Sequence, residues 1–177
     1  MRDHFDELTL TGAGFTLRPL DLSDADALAE GASDPITLKW LPLPRPYLRE
    51  HAVDWISHHI APPAFPRAID VNGSLAGVID LKKTDWRAGT TEIGYWLRPA
   101  FRGRGLMASS VRLLGDWALT DQGMQRVEIR VATGNLASQR VARAAGYVQE
   151  GTLRNAGFLH DGRVDLIVFS RIRSDLK

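Results

Sequence analysis

Hydrophobic side chains recur along this chain in two rhythms, and the switches between them sketch its elements. FTLRPL (15–20) alternates like an edge strand, and Ser23 followed by Asp26 supplies the N-cap and third-position carboxylate that open a helix. The Pro-rich pieces LPLPRP (41–46) and APPAFP (61–66) bracket a second helix from Tyr47 to Ile60, in which Leu48, Ala52, Trp55, Ile56 and Ile60 fall at helical spacing. RAIDV (67–71), Asn72-Gly73 and SLAGVIDL (74–81) read as a hairpin, because Asn-Gly suits the left-handed conformations of a two-residue turn. TEIGYWL (91–97) reads as the next strand, followed by a helix from about Leu106 to Gln122 that Gly123 stops. Met107, Val111, Leu114 and Ala118 share one face of that helix, with Ser110, Leu113 and Trp117 beside them, so it packs on a sheet. RVEIRV (126–131) is a strand, Asn135 caps a helix that Gly146 ends, and two strands close the chain, the last being VDLIVFSRI (164–172). The order is β-α-α-β-β-β-α-β-α-β-β, which predicts an α/β (α+β) fold with a mixed sheet and helices against it.

Composition adds limits. With 177 residues, 44% hydrophobic and 24% charged, one domain spanning 1–177 is the default. Lys and Arg number 22 against 21 Asp and Glu, so no whole-chain positive field exists to hold a nucleic acid. The chain has no cysteine, which removes thiolate zinc sites and any cysteine acyl-enzyme. The opening MRDHFDELTLTGAG lacks the apolar core of a signal peptide, and no run approaches a membrane span of about 18 residues. A cytoplasmic protein with no membrane partner is the expectation. His58-His59 diverge on a helix and find no third ligand at fitting spacing, so no metal site is expected.

The segment with most chemistry in it is AFRGRGLMASSV (100–111), where a strand passes into a helix. Gly103-x-Gly105-x-x-Ala108 formally matches a dinucleotide fingerprint, but the acidic residue that should close the next strand is absent and Glu128 lies mid-strand. No Gly-Lys-Ser/Thr occurs, which removes the P-loop. Successive N–H groups of a glycine-rich turn at a helix N-terminus nonetheless form an anion site, to which Arg102 and Arg104 can add charge.

Arg102-Gly103-Arg104-Gly105-Leu106-Met107 resembles the Arg/Gln-x-x-Gly-x-Gly/Ala motif of the GNAT N-acetyltransferase superfamily. Its surroundings match too: EIGYWL before it, Arg98-Pro99-Ala100-Phe101 leading in, RVEIRV after the helix, Asn135-Leu136-Ala137-Ser138, then Gly146-Tyr147 and Glu150-Gly151. Over 91–151 order and spacing are closest to the RimJ/RimL branch, which acetylates ribosomal-protein N-termini. FTLRPLDLSDADAL, Asp34-Pro35 and HDGRVDLIVFS extend the likeness more loosely. The resemblance implies the GNAT fold: a largely antiparallel twisted sheet, splayed in the middle, with helices on both faces. It implies acetyl-CoA as co-substrate, its diphosphate on residues 102–107. Met107 departs from the small residue usual there, so its side chain must enter the core or crowd the site.

Acetyl transfer to an amine needs a neutral nucleophile, a polarised thioester carbonyl and a proton for the departing thiolate. By resemblance, backbone N–H groups at Trp96, Leu97 and Arg98 pair with the pantetheine arm and the carbonyl, Asn135 holds the pantetheine amides, and Glu92 is the general base. By analogy with the family's Asn-x-x-Ser element, Ser138 is the candidate to protonate or hydrogen-bond the thiolate; the position at which many relatives outside the branch carry a tyrosine as acid is here Ala142. The plainer alternatives stay open: Glu92 as a structural carboxylate, and Asn135 with Ser138 as a helix cap alone. Trp40, Tyr47, Trp55 and Trp86 are candidate walls of an acceptor pocket, with packing as their alternative role. The expected acceptor is a protein or peptide α-amine, whose reference pKa of about 8 makes it roughly 3 kcal/mol easier to neutralise than a lysine amine near 10.4. A small amine (antibiotic, polyamine or metabolite) is the second option and a non-catalytic acyl-CoA-binding module the third. Acyl-chain length and oligomeric state, a homodimer included, are left open.

Overall fold

The structure is a computed structural model that describes residues 3–59 and 64–176. Its centre is a sheet of eight strands: β1 (Leu10–Gly12), β2 (Phe15–Pro19), β3 (Phe65–Val71), β4 (Ser74–Asp85), β5 (Thr90–Leu97), β6 (Arg126–Ala132), β7 (Val148–Leu159) and β8 (Gly162–Ile172). They lie in the order β1-β2-β3-β4-β5-β6-β8-β7. Every neighbouring pair is antiparallel except β5 with β6. Among the described residues five α-helices accompany them: α1 (Ala25–Ala32), α2 (Pro35–Trp40), α3 (Arg49–His59), α4 (Leu106–Thr120) and α5 (Leu136–Ala144).

Strand alternation divides the apolar side chains between two cores. On one face Ile69, Ile79, Leu81 and Ile93 meet Met107, Val111, Leu114 and Ala118 of α4 and Ala142 of α5. On the other, Ala68, Leu75 and Val78 meet Leu28 and Ala32 of α1 and Ala52 and Ile56 of α3. Met107 is only 5% exposed, so its bulk goes into the core and leaves the loop before it uncrowded.

Several expected elements shift. FTLRPL is not the edge of the sheet, because β1 pairs outside it. Ser23 does not cap a helix: Asp21 accepts from the Ser23 N–H, Asp24 accepts from the Asp21 N–H at 3.0 Å, and the chain makes a 3-10 turn first. Arg18 fixes that arrangement by a two-pronged contact to Asp24 at 2.8 Å on each prong. Asp34 caps α2, with Pro35 in the first turn, a start signal that stood in the sequence as Asp-Pro. The second expected helix is α3, which begins at Arg49 and leaves Tyr47 outside it; its expected end at Ile60 lies outside the described residues. The hairpin is as expected, with Asn72 at φ 53° and Gly73 at φ 81°. Helix α4 stops at Thr120, two residues early, and Gly123 at φ 76° lets the Met124 N–H return to the Ala118 carbonyl at 3.0 Å.

One irregularity positions everything that follows. Strands β5 and β6 pair only at Thr90 with Arg126, Thr91 with Val127 and Glu92 with Glu128. Beyond Glu92 they part, and the sheet opens between Ile93–Leu97 and the second half of β6.

Candidate active site

The Arg98 N–H donates to the Ala76 carbonyl at 2.9 Å, so along β5 the even-numbered residues direct their backbone groups at β4. By the same alternation Ile93, Tyr95 and Leu97 direct theirs across the gap. Of the three donors expected there, Leu97 is placed to serve; Trp96 and Arg98 are committed to β4, and the strand's pairing supplies Ile93 and Tyr95 instead.

At the end of β5 the chain makes a 3-10 turn at Pro99–Phe101 and enters α4 through Gly103 at φ 77° and Gly105 at φ 75°. A Cβ at either glycine would meet nothing within 4 Å, so the backbone conformation, not crowding, calls for glycine. Gly105 caps α4 with no side-chain bond to the first turn, whose N–H groups have no partner within the helix and face outward. The two arginines differ. Arg102 donates to the Leu97 carbonyl at 3.0 Å, to Asp34 at 2.6 Å and to Thr37 Oγ1 at 3.0 Å, strapping α2 to the end of β5. Burial alone would raise the Asp34 carboxyl, but Arg102 and the Thr37 N–H hold it below its ordinary range. That guanidinium is not turned to the loop, and Arg104, exposed beside Gly105, is the loop's available cation.

Across the gap, Asn135 caps α5 by accepting from the Ser138 N–H at 3.1 Å. Capping is therefore present, and it leaves the Ser138 hydroxyl for another partner. Tyr95 supplies it: its phenol oxygen is 2.9 Å from Ser138 Oγ and donates to the Ser138 carbonyl at 3.1 Å. Desolvation, partly countered by the Ser138 bond, pushes the Tyr95 hydroxyl up to about 12, so it keeps its proton. None of the sequence motifs that point to this site singles out Tyr95. Period-two alternation on β5, which puts it on the opposite face from Trp96, was the signal that could have found it.

Glu92 is buried where the strands part. Lys83 reaches it at 3.0 Å, Lys82 at 3.5 Å and Arg130 of β6 at 3.6 Å, so this carboxylate already holds three cations. On the same face lies a cavity of about 150 Å3, whose lining includes Tyr47, Trp55, Asp80, Gly94, Tyr95 and Trp96. Two of the four aromatic residues expected at an acceptor pocket are thus brought together, and two are not. Trp40 lays its ring over Gly134, where a Cβ would stand 3.2 Å from it. Trp86 packs tilted against Phe5 at 4.6 Å in an aromatic cluster with Phe65 and Trp117 on the α4 face. Packing decides the position of both. Among the described residues no group of His, Asp and Glu is arranged to hold a metal, and no helix is long and apolar enough to cross a membrane.

Comparison with known proteins agrees with this geometry. Residues 15–148 match the acetyltransferase (GNAT) domain family. A Bacillus subtilis (strain 168) protein, YdaF, provisionally named a ribosomal N-acetyltransferase, is 29% identical over 168 residues, 90% of this chain and 92% of that one. The ribosomal-protein-serine acetyltransferase of Escherichia coli (strain K12) is 32% identical over 98 residues, 55% of each chain. The solved structure of Mycobacterium smegmatis RimJ in complex with CoA-disulfide superposes with a TM-score of 0.88 at 20% identity, over 96% of this chain and 90% of that one, a likeness of fold. The chain belongs to the GNAT acetyltransferase family, and its kinship is with the RimJ/RimL type. It is an acetyl-CoA-dependent N-acetyltransferase.

Proposed function

We propose that the acceptor is the α-amine of a protein or peptide, a ribosomal protein by analogy with the names of the relatives, and that the opening between β5 and β6 is where the two substrates meet. The observation that carries this reading is the cavity beside that opening. At about 150 Å3 it has room for the terminal residue of an extended chain and is well below the roughly 300 Å3 at which sites enclosing whole drug-sized molecules begin. Acetyl-CoA supplies an activated acetyl thioester.

The chain's own groups divide the remaining work. The outward N–H groups at the start of α4, with Arg104, hold the diphosphate. The gap-facing N–H groups of Ile93, Tyr95 and Leu97 take the amide and carbonyl oxygens of the pantetheine arm, which enters the sheet like a partial strand. Tyr95 donates its proton to the leaving sulfur and Ser138 Oγ, 2.9 Å away, orients that hydroxyl. Asn135 sets the start of α5, and so the position of Ser138. Glu92 gathers Lys82, Lys83 and Arg130 at the point of divergence and holds the mouth of the gap open. CoA release is to be measured with peptides bearing free N-termini, the same peptides blocked at the α-amine, polyamines and aminoglycosides. Turnover that requires a free peptide α-amine is expected; turnover confined to small amines overturns the reading.

A further inference from the structure

Asp80 and Glu92 are carboxylates on adjacent strands and on one face of the sheet, Asp80 opposite Gly94 and Glu92 opposite Lys82. Their surroundings differ. Glu92 is engaged by three cations, whereas Asp80 forms no salt bridge among the described residues and stands in the wall of the 150 Å3 cavity, with Tyr47, Trp55, Tyr95 and Trp96. It is half-buried there. Gly94 makes room for it, since a Cβ there would collide with the Asp80 carboxylate and the Lys82 ammonium. Lys82, the cation on Asp80's own strand, is turned toward Glu92 at 3.5 Å.

We infer that Asp80 binds the acceptor's ammonium group and takes its proton, which makes it a catalytic residue of this enzyme and leaves Glu92 a positioning one. The inference deepens the peptide-acceptor reading and rests on it for the choice of substrate. The geometry argues it by elimination between two carboxylates. An ammonium ion approaching Glu92 would have to displace cations already in place; at Asp80 it meets a carboxylate with no salt bridge among the described residues, in a cavity that Tyr47, Trp55 and Trp96 also line. Glu92 has a part in this, because it draws the Lys82 ammonium to 3.5 Å, and Lys82 forms no salt bridge with Asp80. Desolvation raises the Asp80 carboxyl above its ordinary range, and Glu92 adds to the rise; Lys82, the Gly94 N–H and His59 of α3 oppose it. The net rise favours proton acceptance.

The step balances. One N–H bond of the ammonium breaks and an O–H bond forms on Asp80, leaving a neutral amine whose lone pair forms the new C–N bond as the C–S bond breaks. The proton on Asp80 leaves to water through the cavity mouth. The second proton lost by nitrogen is matched by the one Tyr95 gives to sulfur, so each turnover releases one proton to solvent.

The test is calorimetry on the CoA-free full chain at pH 7.5, with a hexapeptide bearing a free N-terminal alanine and with the same peptide N-acetylated. The parental chain is expected to bind the free peptide at least about 10-fold more tightly, and Asp80→Asn to bind both alike. With acetyl-CoA present, Asp80→Asn should lose on the order of 10²-fold in kcat/KM at pH 7.5, with a smaller loss at pH 9.5, where the α-amine is already neutral. Asp80→Glu, which keeps the charge, should recover most of the discrimination. Asp80→Asn is also expected to melt no lower than the parental chain at pH 7.5, since it removes a desolvated charge. Retained discrimination in Asp80→Asn, or a rate loss independent of pH, overturns the assignment. If the parental chain binds neither peptide, the peptide-acceptor reading falls instead, and CoA release with n-butylamine across pH 7.5 to 9.5 then decides Asp80's role by the same pH criterion.

Discussion

The two faces of strand β5 border one gap with opposite chemistry. On the α4 and α5 face, Tyr95 and Ser138 form a pair of neutral hydroxyls, and no ion pair joins them. On the α1 and α3 face, Asp80, Lys82, Lys83, Glu92 and Arg130 gather around the same opening. The contrast teaches how one cleft can serve two charge problems. In the proposed reaction a leaving thiolate is met by a donor that does not ionise near neutral pH, while an arriving ammonium is met by a carboxylate that can.

The comparison can be broken first on the donor side. Gly105→Glu places a carboxylate where the α4 N–H groups converge and should weaken CoA binding by 10²-fold or more, on the order of several kcal/mol, by calorimetry. The fold should survive, because an acidic residue at a helix N-terminus offsets part of the roughly 1 kcal/mol that leaving glycine costs at this φ. Tyr95→Phe comes next: kcat should fall on the order of 10²-fold with CoA affinity nearly unchanged. The pH dependence sharpens the point. Because the folded Tyr95 hydroxyl is raised to about 12 from 10.0, its proton is retained through pH 10, and the stability this neutral form contributes is lost only as pH rises from about 10 through 12. A fall in kcat centred near pH 10 in the parental enzyme, absent from Tyr95→Phe, would contradict this.

A smaller effect separates the two arginines of the loop. Arg102→Ala leaves Asp34 and the Leu97 carbonyl without their partner and should cost about 1–3 kcal/mol of stability, read as a drop in Tm. Arg104→Ala should leave Tm unchanged and weaken CoA binding by up to about 10-fold. The reverse assignment of effects would return Arg102 to the phosphates.

Much of this was legible in the residues themselves, where local chemistry dictates local shape. Asn72-Gly73 and the glycines at 103 and 105 could be read because each occupies a left-handed conformation that few other residues accept. What could not be read was partnership at a distance. Arg102 looked like a phosphate ligand until Asp34, 68 positions away, was seen to hold it. Trp40 and Trp86 carried the right side chain with no address attached, and packing sent them to Gly134 and Phe5. Asp80 lay unnoticed within SLAGVIDL, although a charged residue in a strand otherwise buried is itself a signal. Glu92 was expected to be the free base because its strand was right, but three cations from two other segments change what it is free to do.

The parting of β5 and β6 gives the molecule an edge in its interior. Exposed strand edges invite whatever extended backbone can pair with them, and proteins usually cover or shorten them. Here the edge is confined to residues 93–97, with Ser138 of α5 against Tyr95 in its middle and α2 strapped through Arg102 to its end, so a slender amide-bearing arm can lie along it but a broad sheet cannot. The selectivity of such a slot is for the rhythm of amides, not for one molecule. Linear compounds that repeat the amide spacing of the pantetheine arm should therefore compete for it even without a nucleotide, and joining one to an alanyl amine would span both faces of the strand at once.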